Sequence, residues 1–353
     1  TYVTRFCLSR IVRRLFQAVI IYLLICLTLI EAGVAITITI SISFFLFLCS
    51  QSFIFMLIAW YRAEDQSYIS SFLEQGAYSI ISLAFISVLF LGNIPIDVER
   101  VAVITAVSSL LVLFLGVIKP VFFLSILNGK VKSGNTSYFE SVSNNILIMN
   151  LSSYILAWSG VWFAGYFLSS SDVAFLSVTQ RFAQVIVFLL VSFNGVLAPR
   201  FSKLYTKGDF DSLRILAQKT AWLIVIFNMP VFCIMLYFGA DLLSLFGDEF
   251  RSAYKILLIL MFGQLVNILT GSVGFLLSMS GYEKIMRNTV IFSGLVTLAL
   301  NLVLTIPFGL LGTSVSISIG LILNNLLLTF YVYKKLGFIL IPGLQWVRRQ
   351  SYG

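Results

Sequence analysis

From Asn288 to Tyr333 the chain runs without one charged side chain. A stretch this apolar cannot present its whole length to water. It also exceeds the roughly 20 residues that one helix needs to cross a bilayer. Pro307 and Gly309 lie near its middle, and both interrupt helices. The run therefore predicts two membrane-spanning helices, one ending near Ile306 and one starting near Leu310.

Eight more runs have spanning length: Leu15–Ile30, Val34–Trp60, Gly76–Leu91, Val101–Ile118, Ile146–Leu168, Val173–Ala198, Thr220–Ala240 and Ile256–Ser280. The sixth is interrupted only by Arg181. Composition agrees, because 59% of the 353 residues are hydrophobic and 10% charged, against about 25% charged in a soluble domain. Ile36 to Ser43 alternates apolar and hydroxyl residues with the period of a strand. A lone strand cannot satisfy its backbone in lipid, so this segment is also read as helix. The fold class is an all-α polytopic membrane protein with about ten transmembrane helices in view.

Charge placement tests that count. With a cytoplasmic N-terminal tail and ten spans, the outer side receives Arg100, Arg251 and Lys255, and Arg181 stays within a span. The other 19 of the 23 basic residues fall on the cytoplasmic side. This is the positive-inside pattern, and one span more or fewer would scramble it. The net charge of +9 thus serves orientation and contact with anionic membrane lipids, not nucleic acid. The longest loop, 119–145, is polar and reads as a cytoplasmic linker. It separates a partial N-terminal lobe of four helices, 1–118, from a six-helix lobe, 146–337, with a cytoplasmic tail at 338–353.

Catalytic chemistry finds little support. The chain has no histidine, which removes the usual zinc sites and the Ser-His-Asp and Cys-His arrangements. Its four cysteines form no CxxC pair and read as small buried hydrophobes. Outer loops are too short for a catalytic domain, and the spans are nearly free of Asp and Glu. No enzyme activity, metal or cofactor is expected.

Arg181 is the sharpest residue. A charge deep in a span is costly and faces a cavity or a partner, or else snorkels to the interface. Gln180 and Gln184 flank it, so one face of that helix is wet. A guanidinium in such a place suits an anion such as a phosphate. Neutral polar residues recur inside other spans, among them Asn150, Asn194, Gln264, Asn267, Asn301, Asn324 and Asn325. Singly each fits interhelical hydrogen bonding; together they point to a hydrophilic interior. Trp158 and Trp162, spaced i, i+4, read as an interfacial belt, as packing, or as a face on which sugars stack. The candidate binding residues are Arg181, Gln180, Gln184, Asn150, Trp158 and Asn267.

The second half resembles a known family. Asp172–Phe182, Asn194–Tyr205, Lys207–Phe210, Leu245–Phe250 and Ala253–Leu257, followed by Asn301 and Ile306–Gly312, are similar to segments of bacterial O-antigen flippases. Those belong to the multidrug/oligosaccharidyl-lipid/polysaccharide exporter superfamily. The resemblance covers about 146–337; before that it rests on helix count. It implies a two-lobe, six-plus-six helix transporter, of which this chain would be a remnant lacking its first two helices. It further implies alternating-access transport of undecaprenyl-pyrophosphate-linked oligosaccharide across the bacterial inner membrane, with both termini of this chain cytoplasmic. Arg181 is the position that would attract the pyrophosphate. Other polysaccharide-assembly membrane proteins are implied as further partners. The main alternative is a cation-coupled drug exporter of the same superfamily, which would commonly use an intramembrane carboxylate.

Overall fold

A computed structural model describes residues 37–63, 69, 72–117 and 136–343. The expected span Leu15–Ile30 lies outside them. The chain divides between Gly134 and Asn135 into two compact units.

In the first unit, α1 is Ile38–Ala63, α2 is Ala77–Leu91 and α3 is Val98–Val117. The alternating segment is helical from Ile38, as expected: a helix satisfies its own backbone, and Thr and Ser can bond the carbonyl one turn back. Ser50 Oγ does this to Leu46 O at 2.8 Å. Asp97 starts α3 by accepting from the Arg100 N–H at 2.8 Å. The core joins Ile54, Leu57 and Ile58 of α1 to Val112 of α3 and Ala77 of α2. Two polar contacts reinforce it: Ser50 meets Ser109, and Tyr61 donates to the Gly116 carbonyl at 2.9 Å.

In the second unit, α4 is Thr136–Phe167, α5 is Ser170–Val185, α6 is Phe188–Thr206 and α7 is Phe210–Ser244. A short 3-10 turn, Asp248–Ala253, leads to α8, Tyr254–Thr270, and α9, Val273–Met279. The helical run Glu283–Leu336 is broken at Gly309, whose φ of 57° and ψ of −136° are non-helical. Thr305 pairs with Thr313, and Gly320 lies against Thr297. One number rises as the other falls, so the run is two antiparallel helices: α10 over 283–308 and α11 over 310–336. The sequence divides there as predicted.

Two spans differ from expectation. The sixth is not continuous; it bends at Ile186–Val187 between α5 and α6. The eighth breaks at Gly271, with φ 66°, between α8 and α9. The first break has no Gly or Pro to mark it, and packing of the buried Ile186 and Val187 holds it. Helix α7 also begins ten residues before the expected Thr220 (at Phe210), because Leu213 and Ala217 continue its buried face beyond the purely apolar run.

The unit carries two hydrophobic centres. One joins Leu176, Ala183, Ile224, Leu257 and Met261 near the loop between α7 and α8. The other joins Phe201, Leu213, Leu276, Val332 and Leu340 at the opposite end. Charge separates the same way. The end holding the α6–α7 and α9–α10 turns is basic on balance, with Arg200, Lys203, Lys207, Arg214, Lys219, Lys284, Arg287, Lys334 and Lys335 against Asp209, Asp211 and Glu283. The other end carries Asp172, Asp241, Asp248 and Glu249 with Arg251 and Lys255.

Candidate functional site

Ser169 begins the element that matters most. Its Oγ accepts from the Asp172 N–H at 3.2 Å, and Asp172 Oδ2 accepts from the Ser169 N–H at 3.2 Å. This reciprocal cap fixes where α5 starts and sets the rotation of every side chain after it. Val173, Leu176, Thr179 and Ala183 then turn inward, while Gln180 sits at the edge of the buried face. Thr179 spends its hydroxyl on the Phe175 carbonyl at 2.7 Å.

Beside that edge lies a cavity of about 150 Å³. α5 contributes Gln180 and Gln184, α4 contributes Ser153, Leu156 and Ala157, α8 contributes Leu260 and Gln264, and α11 contributes Ile317, Ser318 and Leu321. Asn267 Nδ2 donates to Gln264 Oε1 at 3.2 Å, which joins Asn267 to the lining from behind. Ser318 Oγ is committed to the Ile259 carbonyl at 2.8 Å. The close approach of α8 and α11 that shapes the floor depends on Gly263: a Cβ there would lie 3.2 Å from Ser318 Cα. The lining bears amides and hydroxyls and no ionisable group. It is roomy enough for a few waters and too small for a sugar chain, so it is a mostly apolar recess with a few amides and hydroxyls in a wall, not a whole binding chamber.

Arg181 points elsewhere. It is exposed and lies outside the lining. Among the described residues it makes no ion pair and no side-chain hydrogen bond. Counting from Ser170, it stands about 17 Å along α5. Both helix breaks fall just beyond the polar residues: Ile186–Val187 follows Gln184, and Gly271 follows Gln264 and Asn267. Broken backbone at membrane depth is tolerated where it is buried in protein or borders water.

The structure thus brings Gln180 and Gln184 to one recess, leaves Asn267 bonded to Gln264 of its lining, and holds Arg181 exposed outside it. Trp158, 43% exposed, is on the outer face of α4 and not in the lining. Asn150 lies in α4, and its side chain falls outside the described residues. Ser153 and Gln264 line the recess and were absent from the chosen candidates. Both had shown the same signal, a polar side chain inside an apolar run. A different interior is built along α4, α10 and α11, where Ser159, Ser293, Thr297, Asn301, Thr305 and Thr313 are all buried.

Residues 146–303 match the MatE family. Among curated proteins, the chain is 20% identical over 220 residues to a Haloferax volcanii protein described as "Probable low-salt glycan biosynthesis flippase Agl15". That match takes in 60% of this chain and 47% of the relative, so the chain spans about half the relative's length. Among solved structures, an outward-facing multidrug resistance MATE family transporter of the MOP superfamily superposes with a TM-score of 0.60 at 14% identity, over 92% of this chain and 77% of that one. A Vibrio cholerae MATE transporter, VcmN, in mutant form, gives a TM-score of 0.66 at 15% identity, over 91% and 76%. At such identities the likeness shows the fold: this is a multi-pass membrane protein with the architecture of a MATE transporter.

Proposed function

We propose that the protein carries a polyprenyl-pyrophosphate-linked oligosaccharide across a bacterial inner membrane by alternating access, with its basic end cytoplasmic. The observation that carries this reading is Arg181, an exposed guanidinium about 17 Å from the start of α5, inside the run read as a membrane span, with no protein partner among the described residues. Such a charge needs an anion and water around it, and a pyrophosphate offers the bidentate geometry that arginine favours. Gln180, Gln184 and Gln264 supply neutral donors in the recess on the adjoining face of α5. The curated relative's description as a glycan biosynthesis flippase supports a glycan cargo.

The fold is shared with multidrug transporters, which keeps drug export as the second reading. Against it, the recess contains no carboxylate for a coupling cation.

The test is export in cells. Deleting the gene should remove surface polysaccharide and leave lipid-linked units in the cytoplasmic leaflet. Wild type should restore export, Arg181→Lys in part, and Arg181→Ala and Arg181→Glu not at all. Full export from the Arg181→Glu protein would sink the role given to the arginine. Normal surface polysaccharide in the deletion strain, with no second flippase present, would favour drug export.

A further inference from the structure

Four ring side chains stand on one ridge of α4. Tyr154, Trp158, Trp162 and Tyr166 follow at successive steps of four residues and are 59%, 43%, 56% and 84% exposed. The ridge is about 18 Å long. Tyr166 closes it at the helix end, edge-on to Phe167 with centroids 4.8 Å apart. Tyr154 lies about 20 Å below that end, past the middle of the hydrocarbon layer.

That distance separates Tyr154 and Trp158 from an ordinary interfacial belt, which keeps Trp and Tyr at headgroup level. A phenol or indole exposed to lipid at mid-depth has nothing to accept its hydrogen. The position of Arg181 gives the same answer. α4 and α5 run antiparallel through the short turn at Leu168–Ser169. Ser153 of α4 and Gln180 of α5 both line the recess. Tyr154 and Arg181 each come one residue later, a rotation of about 100°. In antiparallel neighbours those two rotations turn to the same side. Tyr154 and the arginine therefore share a face, and the ladder winds away from it by about 40° per step toward the helix end; water suits the face at Tyr154 better than lipid.

A glycine on this ridge points to a ligand. Gly165 follows Trp162 by three residues, so it is a neighbour on the helix surface. No atom lies within 4 Å of the place a Cβ would take. Glycine inside a helix lowers stability relative to alanine, and it is retained where something approaches closely. At Gly160 that something is visible, since a Cβ would collide with Ile317. At Gly165 no described residue uses the space.

We propose that Tyr154, Trp158, Trp162 and Tyr166 form a stacking track for the sugars of the lipid-linked substrate, with the Gly165 notch seating a sugar ring against Trp162. The inference rests on the flippase reading and divides its substrate: Arg181 holds the pyrophosphate and the ladder holds the glycan. Sugar rings present C–H faces that pack on aromatic planes, and their hydroxyls can bond the indole N–H and phenol O–H. Four platforms in series let the glycan advance by short steps.

The test measures binding by the full-length protein in lipid nanodiscs. The probes are undecaprenyl pyrophosphate, bare and carrying an N-acetylglucosamine disaccharide, with undecaprenol as control. Trp158→Leu and Trp162→Leu should each weaken the sugar-bearing probe about tenfold and leave the bare probe unchanged; Trp158→Phe and Trp162→Phe should retain most of the binding. Gly165→Leu should fold normally, because it meets no neighbour, and should weaken the sugar-bearing probe alone. Arg181→Ala should weaken both probes. Leucine variants that bind the sugar-bearing probe as wild type does, or lose both probes equally, would overturn the track while leaving the flippase reading in place. Wild type that binds neither pyrophosphate better than undecaprenol would overturn the flippase reading itself.

Discussion

Asn301 Nδ2 donates to Ser159 Oγ at 3.3 Å, tying α10 to α4 at a point where both residues are fully buried. The same Nδ2 reaches the Thr297 carbonyl at 3.0 Å. Interhelical hydrogen bonds in membranes average about 0.6 kcal/mol and reach about 1.7. Asn301→Ala loses this link and leaves a void, so it should lower stability by about 1–2 kcal/mol. Thermal unfolding in detergent reads this directly. Ser159→Ala, which removes one partner and little volume, should cost less.

Gly320 faces Thr297 so closely that a Cβ would overlap Thr297 Oγ1. Thr297 cannot easily turn away, since its hydroxyl is held by the Ser293 carbonyl at 2.7 Å. Gly320→Ala should therefore push α10 and α11 apart and cost about 1–3 kcal/mol. The double variant Thr297→Ala with Gly320→Ala frees the space and should recover part of the loss. Purely additive effects in that cycle would show that the contact does not govern the spacing.

Among the described residues Arg181 has no partner to lose. Arg181→Gln should change the melting temperature little, within the range of a neutral surface substitution (about 0.5 kcal/mol). Export should nevertheless fall by at least tenfold. Matching losses in stability and export would instead make the arginine structural.

Asp209 caps α7 by accepting from the Ser212 N–H at 3.0 Å. Hydrogen bonds from the Ser212 side chain, and then from its backbone, hold the carboxyl below its ordinary range, with help from Lys207. The folded state thus binds this proton less readily than the unfolded chain does. The capping contribution is present above about pH 4, the ordinary carboxylate range, and is lost as pH falls through the lowered value. The gap in melting temperature between wild type and Asp209→Ala should shrink from pH 6 to pH 3. A constant gap would point to a role independent of the charge.

The spans were legible because lipid imposes a rule that is local in sequence: a segment must be apolar, long enough and helical. Hence Pro307 and Gly309 marked the division between α10 and α11, and the strand-like Ile36–Ser43 still read as helix. The bend at Ile186–Val187 left no such mark, because no Gly or Pro stands there and neighbouring helices hold it. The site was legible in kind. Polar residues inside apolar runs pointed to Gln180 and Gln184, which line the recess, but the same signal belongs to Asn301 and Asn324, which lie in the packed interior. Composition cannot separate a cavity wall from a hydrogen-bonded seam, because both need polar atoms away from lipid.

By itself the sequence determined the solvent, the helical class and the separation of charge between the two ends, because each follows from what a bilayer accepts residue by residue. Only the tertiary structure decided how Arg181 turns relative to Gln180, that Gln264 and Ser153 complete the recess, and that Trp158 stands on an open ridge. Those outcomes depend on rotation about helix axes, set by caps such as Ser169 with Asp172 and by contacts such as Gly263 against Ser318. Such contacts join residues far apart in the chain, so no local pattern records them.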